Sequence, residues 1–119
     1  MRIKAVVMTM VVVALGAGSA YAGDAAKGQA IFEKKCKTCH NLDDSVKVGP
    51  GMKGVTTRRA DEWLDKWLGD TKGMIAAGTD PTVVEIMKGA KVKMPTVKEM
   101  TDAANRADMI AFLKKNDGK

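Results

Sequence analysis

The sequence predicts an all-α fold. Three observations carry that expectation. Apolar residues recur at three- and four-residue spacings in four separate windows. Asp, Pro and Gly stand where those windows would begin and end, as helix caps and stops do. No window alternates apolar and polar residues as a half-buried strand must.

The first helix is expected to start at Asp24, whose carboxylate can cap it, with Ala25, Gly28, Ile31, Phe32 and Cys36 on one face. It runs directly into Cys36-Lys37-Thr38-Cys39-His40. Asn41 to Thr57 then reads as loop, because Gly49-Pro50-Gly51 and Gly54 interrupt any regular element. A second helix fits Ala60 to Leu68, with Trp63, Leu64, Trp67 and Leu68 as its stripe and Gly69 as its stop. Lys72-Gly73-Met74 reads as a further loop. A third helix has Asp80 as cap and Pro81 at its first position, turns Val83, Val84 and Met87 inward, and ends at Gly89. Beyond an irregular stretch carrying Met94-Pro95, the last helix starts at Thr101 or Asp102 and runs to about Lys115. Its inward face is Met109, Ile110, Phe112 and Leu113.

The chemistry is concentrated in residues 36–40, which hold both cysteines and the one histidine of the chain. Cys-x-x-Cys-His is the attachment motif of c-type haem. Cys36 and Cys39 can each add to a vinyl group of one porphyrin, which places the His40 imidazole to bind the iron from one face. A structural zinc site needs about four Cys or His ligands, and this sequence offers three. A thioredoxin-like redox pair would follow a strand, and no strand pattern precedes Cys36.

Composition and the N-terminal segment bound the rest. Arg2 and Lys4, the apolar run from Ala5 to Leu15, and Ala20-Tyr21-Ala22 read as a secretory signal peptide over residues 1–22, cleaved after Ala22. The apolar run is too short and too interrupted by Gly16, Gly18 and Ser19 to span a membrane. Export to the periplasm is therefore expected, with residues 23–119 as a single domain. Removing Arg2 and Lys4 lowers the formal net charge from +6 to +4. That modest positive balance favours an acidic partner. No basic tract interleaved with aromatics suggests nucleic-acid binding. A domain this small buries only about 60–65% of its unfolded surface, and after processing its aromatics are Phe32, Trp63, Trp67 and Phe112. A covalent haem would supply core that the side chains lack.

With His40 and both cysteines used, the iron's other axial position falls to a methionine, a lysine, water or nothing. Met52, Met74, Met87, Met94, Met100 and Met109 remain after processing. Met109 lies in a helical core stripe, and Met52 follows the loop on the His40 side. Met94 lies between Gly89 and Pro95 in an irregular stretch, so no helical stripe requires it, and Pro95 stiffens the chain after it. Met100 comes next, at the edge of the last helix.

The chain resembles class I cytochrome c, the small monohaem bacterial type, over nearly all of residues 23–119. The resemblance is carried by Gly28-Gln29-Ala30-Ile31-Phe32, Cys36-x-x-Cys39-His40, Val48 to Val55, Lys93-Met94-Pro95 and Arg106 to Lys115. It implies thioether links at Cys36 and Cys39, iron ligation by His40 and Met94, and first and last helices that cross at Gly28 and Phe32. It also implies that the Pro50 carbonyl accepts from His40, and that Arg58 holds a haem propionate, with Arg59 competing. The stretch from Thr71 to Lys93 does not align, which leaves Met74 as a rival ligand. Trp63 and Trp67 are read as core residues first and propionate donors second.

The function expected is a periplasmic one-electron carrier between redox partners, with one covalent haem c, working as a monomer and not as an enzyme. The unique histidine leaves no Ser/His/Asp or Cys/His set for nucleophilic catalysis. An electron-transfer subunit of a larger complex is the alternative, followed by a haem sensor with an open sixth position.

Overall fold

Asp24 caps the first helix through its carboxylate, which accepts from the backbone N–H of Ala26 and Lys27 at 2.9 and 3.3 Å. The computed structural model describes residues 23–119, so the expected signal peptide lies outside the described residues. Helix α1 runs Ala25–Ile31 and continues as a wider π turn, Phe32–Cys36, closed by the Lys37 N–H on the Phe32 carbonyl at 2.9 Å. Short α2 (Val55–Arg58), α3 (Asp61–Gly69), α4 (Thr71–Ala77) and α5 (Pro81–Gly89) follow. A 3₁₀ turn at Lys98–Thr101 leads into the long α6, Ala103–Asn116. Among the described residues there is no strand, and no helix is long and apolar enough to cross a membrane.

The frame is α1 against α6. Gly28 is buried at the contact, and a Cβ placed there would meet the Asp108 carbonyl oxygen at 2.1 Å. Only a hydrogen at that position lets the two backbones approach so closely. One turn on, the Phe32 and Phe112 rings sit 5.5 Å apart and tilted by 54°, an aromatic pairing worth about 0.5–1.5 kcal/mol beyond burial. The Asp108 carboxylate also accepts from the Asp24 N–H at 2.8 Å. Leu64, Trp67, Leu68, Val83, Met100, Met109, Ile110 and Leu113 complete the buried core.

Caps explain the helix boundaries. Asp80 accepts from Thr82 and Val83 N–H at 2.8 and 3.2 Å, and Asp102 from Ala104 and Asn105 N–H at 2.8 and 3.2 Å. Helix α3 lacks a side-chain cap but carries Asp61 and Glu62 in its first turn, where the helix dipole favours acid. Two stretches expected to be loop are helical. Lys72-Gly73-Met74 belongs to α4, because the Asp70 carboxylate accepts from the Gly73 N–H at 3.1 Å and starts a helix there. The end of the Asn41–Thr57 stretch belongs to α2.

Arg106 ties the last helix to what precedes it. Its Nε donates to Asp65 on α3 at 2.7 Å, and its Nη1 donates to the Met100 and Thr101 carbonyls at 3.1 and 3.2 Å. The 3₁₀ turn that follows the Met94 segment is thereby held on α3.

Candidate haem site

The turn after the π segment brings the motif residues together. The N–H groups of Cys39 and His40 both donate to the Cys36 carbonyl, at 3.1 and 2.9 Å. Cys36, Cys39 and His40 are all half-buried, and the two thiols are free. Burial pushes the Cys36 thiol up to about 11, with Cys39 and Glu99 adding to the rise. A dithiol redox pair wants the opposite, an attacking thiol with a lowered pKa. The pair is therefore poorly suited to disulfide exchange.

His40 is oriented from two sides. Its Nδ1 lies 2.8 Å from the Pro50 carbonyl oxygen. A carbonyl can only accept, so Nδ1 carries the proton and Nε2 keeps the free lone pair for a metal. Gly49 lies flat against the ring, since a Cβ there would come within 2.4 Å of His40 Cε1. The Gly49 N–H also donates to the Cys39 carbonyl at 2.7 Å, which binds this loop to the motif turn.

The methionines separate by burial. Met100 and Met109 are each 1% exposed, inside the core and spent on packing. Met52, Met74, Met87 and Met94 are half-buried at its edge. Of these, Met74 and Met87 lie in helices, whereas Met52 and Met94 lie on irregular segments. Met52 is tied to the His40 side, its N–H donating to the Asn41 carbonyl at 2.8 Å, and the Met94 segment is anchored where the Thr96 hydroxyl accepts from the Lys72 N–H at 2.9 Å.

The residues present fit a haem. Leu42, Val55, Ile75 and Val97, like these methionines, are half-buried and packed against the core, so apolar side chains at its edge are left for a haem to cover. Paired thiols, an imidazole with a free Nε2 and thioether sulfurs are the donor set that the group requires.

The other residues expected near the cofactor have protein partners. Arg58 is exposed and donates through Nη1 to the Lys53 carbonyl at 2.7 Å. The Arg59 guanidinium lies over the Trp63 ring, 5.5 Å from its centroid. Trp63 stacks on Trp67 at 5.4 Å and gives its indole N–H to Asp80 at 3.1 Å. Trp67 is buried, so core packing accounts for it. The sequence marks Gly49 as a loop breaker but not as the residue that packs on His40, and it gives Thr96 no role. A glycine directly before a loop proline is a signal for the first; the second has none, because its partner is distant in sequence.

A family model described as cytochrome c matches residues 25–117. The chain belongs to the cytochrome c family. It is a class I cytochrome c, and its cofactor is one covalently attached haem c. It is 32% identical over 97 residues to a cytochrome c-type cyt cy of Rhodobacter capsulatus, covering 76% of this chain and 48% of that relative. The chain thus spans about half the length of that protein. It is 29% identical to a cytochrome c of Gossypium barbadense, covering 79% of this chain and 91% of the relative. The solved cytochrome c from Rhodothermus marinus superposes with a TM-score of 0.70 at 21% identity, over 79% of this chain and 77% of that one, a likeness of fold. Family membership makes this cytochrome a haem-based electron carrier that meets redox partners.

Proposed function

We propose that this cytochrome is a soluble, monomeric periplasmic carrier, exported by residues 1–22, that shuttles single electrons between proteins and catalyses no reaction of its own. Cys36 and Cys39 hold the haem as thioethers, and His40 and Met94 are the axial ligands. The observation that carries the reading is the His40 Nδ1 contact with the Pro50 carbonyl beside two free thiols. Bound haem supplies a one-electron Fe(III)/Fe(II) couple. The chain's own residues do the rest. His40 presents Nε2, Pro50 fixes its tautomer, and the half-buried methionines and aliphatics exclude water from the ligand side. Thioether ligation at Met94 favours ferrous iron over what a harder ligand would give.

Docking falls to exposed lysines on the segments carrying the motif, the proline loop and Met94. Lys34, Lys37, Lys53, Lys91, Lys93 and Lys98 are exposed, whereas Lys35 and Lys88 are in ion pairs with Glu99 and Glu85 at 3.6 and 3.3 Å. A cationic face of this kind suits an acidic partner and acts mainly on the encounter rate.

Spectra of the purified protein in both oxidation states test the centre. Colour that survives acid–organic extraction and a low-spin ferric spectrum are expected; extractable colour or a high-spin, five-coordinate spectrum refutes the ligand set. Stopped-flow rates with an acidic redox partner test the docking. They should fall steeply as salt shrinks the Debye length below about 8 Å, and more for Lys93→Glu than for Lys115→Glu. Rates indifferent to both salt and charge reversal refute an acidic partner.

A further inference from the structure

Beyond Asn116 the chain turns back over the segment that carries Pro50. Asn116 Nδ2 donates to the Leu42 carbonyl at 2.9 Å, two residues past His40. The Asp117 carboxylate accepts from the Gly54 N–H at 2.6 Å, the Thr56 N–H at 3.0 Å and the Thr56 hydroxyl at 2.6 Å. Lys119 Nζ donates to the Thr56 carbonyl at 2.9 Å. Leu42 and Gly54–Thr56 are the two feet of a loop whose crown holds Gly49 and Pro50. Between those feet the loop has no helix or strand of its own. Its backbone ties at the base are Met52 N–H to Asn41 and Lys53 N–H to Asp43, at 2.8 and 3.2 Å.

We propose that Asn116 and Asp117 are positioning residues, which clamp both feet of this loop and so hold the Pro50 carbonyl on His40 Nδ1. The proposal rests on the reading that His40 ligates the iron. An imidazole that donates a well-aligned hydrogen bond is a more basic ligand, which favours ferric iron. Slack in the loop weakens that bond and moves the couple toward ferrous. The clamp is charge-assisted, and such bonds are roughly twice as strong as neutral ones. Burial pushes the Asp117 carboxyl up, but the Thr56 hydroxyl, the Gly54 and Thr56 N–H groups and Lys119 together hold it below its ordinary value. It is therefore ionised at neutral pH.

The test compares holoprotein variants by midpoint potential and ferric electron paramagnetic resonance. Asp117→Ala should shift the Fe(III)/Fe(II) equilibrium several-fold toward ferrous iron, where tenfold corresponds to about 59 mV for one electron. Asn116→Ala should shift it less in the same direction. Asp117→Asn, which keeps one accepting oxygen, should fall between Asp117→Ala and wild type. Asp61→Asn, which breaks the Lys114–Asp61 pair between α6 and α3, should lower thermal stability without moving the potential. A potential and resonance spectrum unchanged in Asp117→Ala would overturn the proposal and leave the clamp as mere stability. If that variant does not fold, Thr56→Val removes one of the three bonds, and no shift there is equally decisive. A wild-type protein without imidazole-ligated low-spin iron would instead refute the ligand reading itself.

Discussion

Replacing Gly28 by alanine should destabilise this cytochrome, although alanine is the better helix former by about 1 kcal/mol. The new Cβ would lie 2.1 Å from the Asp108 carbonyl oxygen, 2.6 Å from its carbonyl carbon and 2.8 Å from Phe112 Cβ. Two of those three atoms are backbone of α6, so no side chain can swing aside. Reaching even 3.0 Å from the oxygen means parting the helices by about 0.9 Å, and a gap of 0.5–1 Å already forfeits a quarter to a half of a dispersion contact. Phe32 and Phe112 sit at that seam. Overpacking costs typically about 1–3 kcal/mol, and a backbone clash belongs at the top of that range. After the helix-propensity gain, the net loss is about 2 kcal/mol. At about 4–8 °C per kcal/mol for a domain of 60–100 residues, the melting temperature should fall by roughly 8–16 °C. Far-ultraviolet circular dichroism on the holoprotein measures it. Gly89→Ala is the control: it closes α5 with nothing within 4 Å, so it should be neutral or stabilising by up to about 1 kcal/mol. A Gly28→Ala protein that melts at or above wild type would refute the close-approach argument.

Met94→Ala should abolish the sulfur–iron charge-transfer band. Met100→Ala should keep the band while losing about 2–5 kcal/mol of stability, as expected for a buried methionine cut to alanine; visible absorption and thermal unfolding separate the two. Gly49→Ala would drive a methyl to within 2.4 Å of His40 Cε1, so the ring must turn off Pro50, with a changed ferric spin state or potential as the readout. The stability that wild type holds over Asp117→Asn should depend on pH. Its folded-state carboxyl lies below the ordinary value, so the difference is fully present above the usual carboxylate range, about 4. It should vanish as pH falls through the lowered value, and melting curves from pH 7 to pH 2 check this.

Local signals made much of the fold legible. Asp24, Asp80-Pro81 and Asp102 announce helix starts because a cap and its helix are neighbours in sequence, and the stripe Met109, Ile110, Phe112 and Leu113 is buried as its spacing predicts. Helix α4 escaped because Lys72-Gly73-Met74 looks like a breaker, while its Asp70 cap is an ordinary surface aspartate until the backbone is seen. The motif residues and Pro50 were legible through chemistry and resemblance. Gly49 against His40, Thr96 on Lys72 and Asp117 on Gly54 and Thr56 were not. Each is a contact between distant segments, and neither partner's identity implies the other.

The pairing of α1 with α6 joins residues 84 apart, Asp24 to Asp108, so the intervening chain is a closed circuit, fastened at that seam and again where Asp65 meets Arg106 and Thr56 meets Asp117. A single cut in such a circuit opens it without releasing either piece. The exposed link at Gly78 and Thr79, between α4 and α5, is the natural place for a protease to make that cut. The nicked protein would carry His40 on one fragment and Met94 on the other, with half of the seam on each. The two fragments should co-elute on gel filtration until denaturant parts α6 from α1 and α3.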